Sequence, residues 1–162
     1  MLINNLEILI QRLIDPEFAH LLLQPLPFYG LLGGLLFFLV GHYWSQPKCR
    51  AVALIFIAVC SLSVVPDLEL CKKNLGVEKL NRSGDAKLIQ EQYQRRVDSK
   101  WVYYALAICA VAALIGGGKL GAIAHIAVMA GTVLVILFSA WLLMKEAEIY
   151  HPTIVKHAIP IR

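Results

Sequence analysis

Acidic and basic side chains are missing from four long stretches of this sequence. Segments 18–44, 51–66, 101–118 and 120–144 contain no Asp, Glu, Lys or Arg. Charged residues make up only 16% of the 162 positions, while 59% are hydrophobic. Soluble domains carry about 25% charge, so a water-soluble globule is excluded on composition. No basic face remains for nucleic acid, because the lysines and arginines lie outside the apolar runs and the formal charge is only +4. With no carboxylate inside those runs, the intramembrane acids that drive ion-coupled transport are absent too. The four cysteines, Cys49, Cys60, Cys71 and Cys109, form neither a CxxC pair nor a CxxCH haem-attachment sequence, so neither a zinc site nor a thiol enzyme is indicated. The run Gly116-Gly117-Gly118-Lys119 is not a phosphate loop, since Leu120 stands where a Ser or Thr is required.

What is present is length and apolarity. Segment 120–144 would extend about 37 Å as a helix at about 1.5 Å per residue, enough to cross a hydrocarbon core of about 30 Å. With the three runs before it, the chain reads as a single all-α membrane domain of four transmembrane helices over residues 1–162. In segment 1–15, Leu2, Ile3, Leu6, Leu9, Ile10 and Leu13 fall at helical spacing, which predicts an N-terminal amphipathic helix lying in the headgroup region or packed on protein. Pro25 and Pro27 predict a kink or a restart early in the first span. Gly30, Gly34 and Gly41 share one helix face, the small-residue pattern through which helix backbones approach in lipid. Trp44, Trp101, Tyr103, Tyr104, Trp141 and Tyr150 sit near span ends, where amphipathic rings favour the water boundary. The only substantial polar segment, 67–100, should begin as turn through 81–85 and continue as a helix, partly covering the loop and running into the third span.

Four spans place both termini and the long loop at one end, here end A, and the two short loops at end B. End A carries most of the lysines and arginines, so the positive-inside rule makes it cytoplasmic. The five histidines are the remaining polar candidates. His20 and His151 belong to end A, and His42 and His125 to end B, one pair per membrane face. Met129 lies one turn beyond His125 on the same face. Imidazoles from separate helices are what a bis-histidine b-type haem requires. Interfacial anchors, buried hydrogen bonds and a proton relay are the competing readings, and the sequence leaves all of them open.

The run Asp15-Pro16-Glu17-Phe18-Ala19-His20 before the first span and Glu148-Ile149-Tyr150-His151 after the last resemble the bounding motifs of the bacterial four-helix membrane family called domain of unknown function 2231. That family opens with His-Pro-x-x-x-His and closes with a Tyr and a His. Here Asp15 replaces the first histidine and Pro152 follows His151 where glycine is usual, so only His20 and His151 carry over. The resemblance implies a multi-pass protein of the bacterial inner (plasma) membrane. Because such domains occur fused to Rieske or cytochrome c domains, it also implies proximity to electron-transfer proteins. Those fusions would place end A outside the cytoplasm, opposite to the charge count, so no orientation is assigned.

The expected function is therefore a non-catalytic accessory or structural subunit of a larger membrane complex, a respiratory or other redox assembly, embedded in the lipid bilayer beside other membrane-protein subunits. The alternative is a small b-type cytochrome with haem held by His20, His42, His125 or His151.

Overall fold

The computed structural model describes residues 16–81 and 86–150. The expected amphipathic segment 1–15, most of the expected turn at 81–85, and His151 and His157 lie outside the described residues. Six helices follow in order: α1 (Pro16–Leu23), α2 (Leu26–Tyr43), α3 (Pro47–Leu62), α4 (Val64–Asn81), α5 (Ala86–Ile115) and α6 (Gly118–Tyr150). No strand occurs among the described residues.

Four helical stretches are long and apolar enough to span a bilayer: Leu26–Tyr43, Pro47–Gly76, Ala86–Ile115 and Gly118–Ile149, with mean hydropathies of 1.5, 2.3, 1.4 and 2.5. The chain is an integral multi-pass membrane protein. Around the bundle α2 neighbours α3, α3 neighbours α5, α5 neighbours α6, and α6 returns to α2, while α1 lies against α4.

Of the two outcomes predicted at Pro25 and Pro27 the restart is the one adopted, and the second span runs further than segment 51–66. The first span does not begin at Phe18. The chain turns at Gln24 and Pro25, separating α1 from α2, and α2 restarts with Pro27 in its first turn, where a missing N–H costs nothing. The second span does not stop at Pro66. Only Ser63 interrupts α3 and α4, its amide still reaching Val59 O at 3.0 Å, and Pro66 falls in the first turn of α4. Helix therefore carries on through Asp67 and beyond.

Packing of α2 on α3 depends on absent side chains. A Cβ at Gly30 would collide with the Cys60 side chain. One at Gly34 would come within 2.7 Å of Ile57 Cγ1, and one at Gly41 within 2.9 Å of the Arg50 backbone nitrogen. The glycine face is thus consumed inside the chain, where it brings α2 onto α3. Leu31 and Phe38 from α2 interleave there with Ala53, Leu54 and Ile57, all buried. At end B, α2 passes to α3 through Trp44–Gln46, where Ser45 adopts φ 53° and the Gln46 amide returns to Gly41 O at 2.9 Å. The α5–α6 turn is tighter still. Gly118 takes φ +58°, and a Cβ on Gly116 would meet Ala112 O at 2.6 Å and Gly121 Cα at 3.3 Å.

Gly33 is the natural control for this packing, since a Cβ there meets only Phe56 Cε1 at 3.8 Å, ordinary contact. Gly34→Ala should destabilise the detergent-solubilised protein by about 1–3 kcal/mol through overpacking. Gly33→Ala should be neutral or gain up to about 1 kcal/mol from helix propensity. Thermal unfolding followed by tryptophan fluorescence checks the pair; equal midpoints would show that α2 and α3 are less closely fitted than described.

Candidate functional site

Each long helix turns one seam of residues inward at alternating steps of three and four, the spacing of packed helices. On α3 and α4 the buried seam is Cys60, Val64, Asp67, Cys71 and Asn74; on α6 it is Val128, Thr132, Val135, Ser139, Leu142 and Glu146. On α5 it is Ile89, Gln92, Arg96, Ser99, Tyr103, Leu106, Ala110 and Ala113. Followed toward end A, the three seams leave the apolar zone and converge on Asp67, Arg96 and Glu146.

Those three residues and His20 form one buried network. Arg96 donates through Nη1 to Asp67 Oδ2 at 3.0 Å and through Nη2 to Glu146 Oε2. The second Asp67 oxygen, Oδ1, pairs with His20 Nδ1 at 2.9 Å. His20 retains 7% exposure, Asp67 2%, Arg96 9% and Glu146 7%. Four separate helices, α1, α4, α5 and α6, each contribute one side chain. Arg96 and Glu146 stand five residues beyond Trp101 and Trp141, about 7–8 Å further along their helices, which sets the network near headgroup depth.

Polar groups continue a short way inward. Tyr103 and Ser139 hydroxyls pair at 2.7 Å, and Ser139 also donates to Val135 O at 2.7 Å. On the outer side of Arg96, one turn nearer the start of α5, Gln92 Nε2 donates to Leu142 O at 3.2 Å, leaving its Oε1 without a partner. A cavity of about 30 Å³ lies among Gln24, Asp67, Arg96, Ser99, Tyr103 and Ser139. Its remaining lining, Pro27, Phe28, Val64, Leu142 and Leu143, is apolar, and the space is of water size. Below Ser139 the seams are apolar except for Thr132, whose hydroxyl bonds its own helix at Val128 O.

The histidines are placed as follows. His20 meets Asp67, with Arg96 carrying the connection on to Glu146 near the end of α6, the same region in which the sequence reading paired it with His151. His42 and His125 both lie against the ring of buried Phe38, with centroids 6.5 and 5.7 Å away. His42 is exposed; His125 is partly buried and directs Nδ1 to Gly121 O at 2.6 Å, leaving Nε2 as its unengaged nitrogen. Met129 remains on the outer side of α6. Among the described residues no group of three His, Cys, Asp or Glu is arranged around a metal.

Sequence reasoning found His20 and missed its partners. Asp67 and Glu146 fall just outside the apolar runs, and Arg96 lies on the helix expected to run into the third span, whose inward face reads as Leu88, Ile89, Tyr93 and Val97, whereas Ile89, Gln92, Arg96 and Ser99 are the buried residues and Leu88 is exposed. The signal that would have found them is the inward seam itself, which does not stop where the hydrophobic residues stop.

Arg96 bridges two buried carboxylates, sharing Asp67 with His20 and holding Glu146 alone among the described residues. Arg96→Leu should therefore cost about 3–5 kcal/mol of stability, the range for stripping one partner from a buried ion pair. Tyr103→Phe should cost about 1 kcal/mol, because Ser139 keeps its bond to Val135 O. Denaturation midpoints in matched detergent measure both, and similar losses for the two variants would deny Arg96 its central place.

No protein-family model, curated protein or solved structure matches this chain.

Proposed function

We propose that the chain is a non-catalytic accessory subunit that docks in the membrane against a helix of a larger complex. The observation that carries this reading is a second seam on α5, pointing outward. Trp101, Ala105, Ile108, Ala112 and Ile115 repeat at steps of four and three and are all exposed, Ile115 at 79%. With Leu62, Tyr104 and Val111 they line an open apolar groove of about 710 Å³. Large and small layers alternating at this period are what one helix presents to another. Lipid tails require no period at all.

The glycine faces do not serve this role, being occupied by the α2–α3 contact. The resemblance around His20 and His151 supports a redox assembly of the bacterial inner membrane as the setting, with cytochrome c or Rieske-type proteins among the neighbours.

Ala112→Phe fills the groove without touching the inward seam. In complexes extracted from the source membrane with mild detergent, it should reduce the co-purifying partner at least about tenfold. Leu134→Phe, on an exposed position of α6, should retain the partner. Retention by both variants, or isolation of the unaltered protein as a lone monomer, would defeat the docking reading.

A second reading, the b-type cytochrome, rests on the end-B histidine pair of the sequence, His42 and His125, each of which lies beside Phe38. A reduced-minus-oxidised spectrum of the partner-free protein decides it. A haem b band lost in His125→Ala would establish an electron carrier, and a featureless spectrum after haem-supplemented expression would eliminate it.

A further inference from the structure

We propose that the His20–Asp67–Arg96–Glu146 network is a binding site for one proton, and that proton occupancy controls how firmly α1 is clasped to the bundle. This inference stands apart from the docking seam and does not depend on it.

The argument begins with charge. Asp67 and Glu146 bring two negative charges into a space closed to solvent, and the Arg96 guanidinium, which does not deprotonate in proteins, brings one positive charge. The three together carry a net charge of minus one. Burying net charge is costly, so the network is balanced only when one further proton is held among His20, Asp67 and Glu146. His20 is placed to take it, because its Nδ1 already faces Asp67 Oδ1 at 2.9 Å and a charged imidazole strengthens that bond.

Among the described residues the surrounding groups do not supply another compensating charge. From α4 the titratable neighbours of the network are Asp67, Glu69 and Cys71; from α5 they are Tyr93, Arg96 and Tyr103; from α6, Glu146. Among the described residues Arg96 is the single cation in this set, since Lys145 pairs with Glu148 at 2.7 Å. A water-sized cavity adjoins Asp67 and Arg96.

The consequence falls on α1. This helix has only eight residues, lies chiefly on α4, and reaches the other three members of the network through His20. With the proton bound, the network is neutral and α1 is held. As pH rises and the proton leaves, an uncompensated negative charge remains buried, and the docked arrangement loses stability relative to one in which α1 lifts and water enters. Linkage limits the effect of one proton to about tenfold in the docking equilibrium per pH unit.

The test is hydrogen–deuterium exchange of segment 16–23 in the full chain, reconstituted in lipid nanodiscs, from about pH 5 to about pH 9. Each rate is divided by the intrinsic chemical rate at that pH. Unaltered protein should lose protection as pH rises, by up to about tenfold per unit. Glu146→Gln removes one acid without touching His20 or Asp67, leaving a network balanced without the extra proton, so its protection should be high and flat. His20→Gln should also be flat. A pH-independent profile for the unaltered protein overturns the proposal. So does Glu146→Gln with the original slope, which would reduce the effect to an isolated His20–Asp67 pair. Should Glu146→Gln fail to fold, Glu146→Asp replaces it: a shortened acid that keeps its charge should retain the pH slope of the unaltered protein while His20→Gln is flat, and a slope in His20→Gln equal to that of the unaltered protein rejects the site.

Discussion

A guanidinium that cannot be neutralised, enclosed by protein, must be met by acids at defined positions, and this requirement at Arg96 sets the arrangement of end A. Asp67 and Glu146 occupy its two terminal nitrogens from opposite helices. Sliding α4 or α6 by one residue would move a carboxylate about 1.5 Å along the axis and turn it by about 100°. Apolar seams alone tolerate such slips, because lipid and helix interiors are similarly apolar. The ion network therefore supplies longitudinal register among α4, α5 and α6, as the glycine contacts do between α2 and α3.

The two ends of the molecule are consequently built on different principles. End A is specified by directional bonds among His20, Asp67, Arg96 and Glu146, extended by Tyr103 and Ser139. End B is specified by steric proximity, with Gly41 against Arg50 and Gly116 against Gly121. Between them the inward seams of α5 and α6 pair alanines with valines, and Thr132 satisfies itself on its own helix. No continuous polar track joins the ends among the described residues. That fits a protein that holds a position in the membrane better than one that conducts through it.

Much of this was legible in the sequence, and the exceptions have a common cause. Four charge-free runs announced four spans, Pro25 announced the break before α2, and the glycine spacing announced a close helix contact. The contact's partner was not legible. Glycines at 30, 34 and 41 fit an internal neighbour and an external one equally well, and only the placement of Cys60, Ile57 and Arg50 decides between them. The network was missed because hydropathy marks where charge is sparse, not where a helix ends. Val64-Val65-Pro66-Asp67 reads as the close of an apolar run, yet proline in a first turn interrupts nothing, and Asp67 continues the face begun by Cys60 and Val64. Periodicity carried across the hydropathy boundary would have brought Asp67, Arg96 and Glu146 onto the inner face alongside their apolar predecessors.

The Gly116–Gly118 turn bears on biosynthesis. With Gly116 pressed against Gly121 and Gly118 in the left-handed region, only two residues separate the last residue of α5 from the first of α6. Neither helix can travel far without its neighbour. Alanines 107, 110 and 113 are thus presented to the next helix as soon as it emerges. Backbone satisfaction within each helix and mutual shielding of the inner seam can be completed before the second half of the hairpin leaves the insertion machinery. Such a hairpin is short enough to be inserted as one unit, with Lys119 the single charged side chain at its tip.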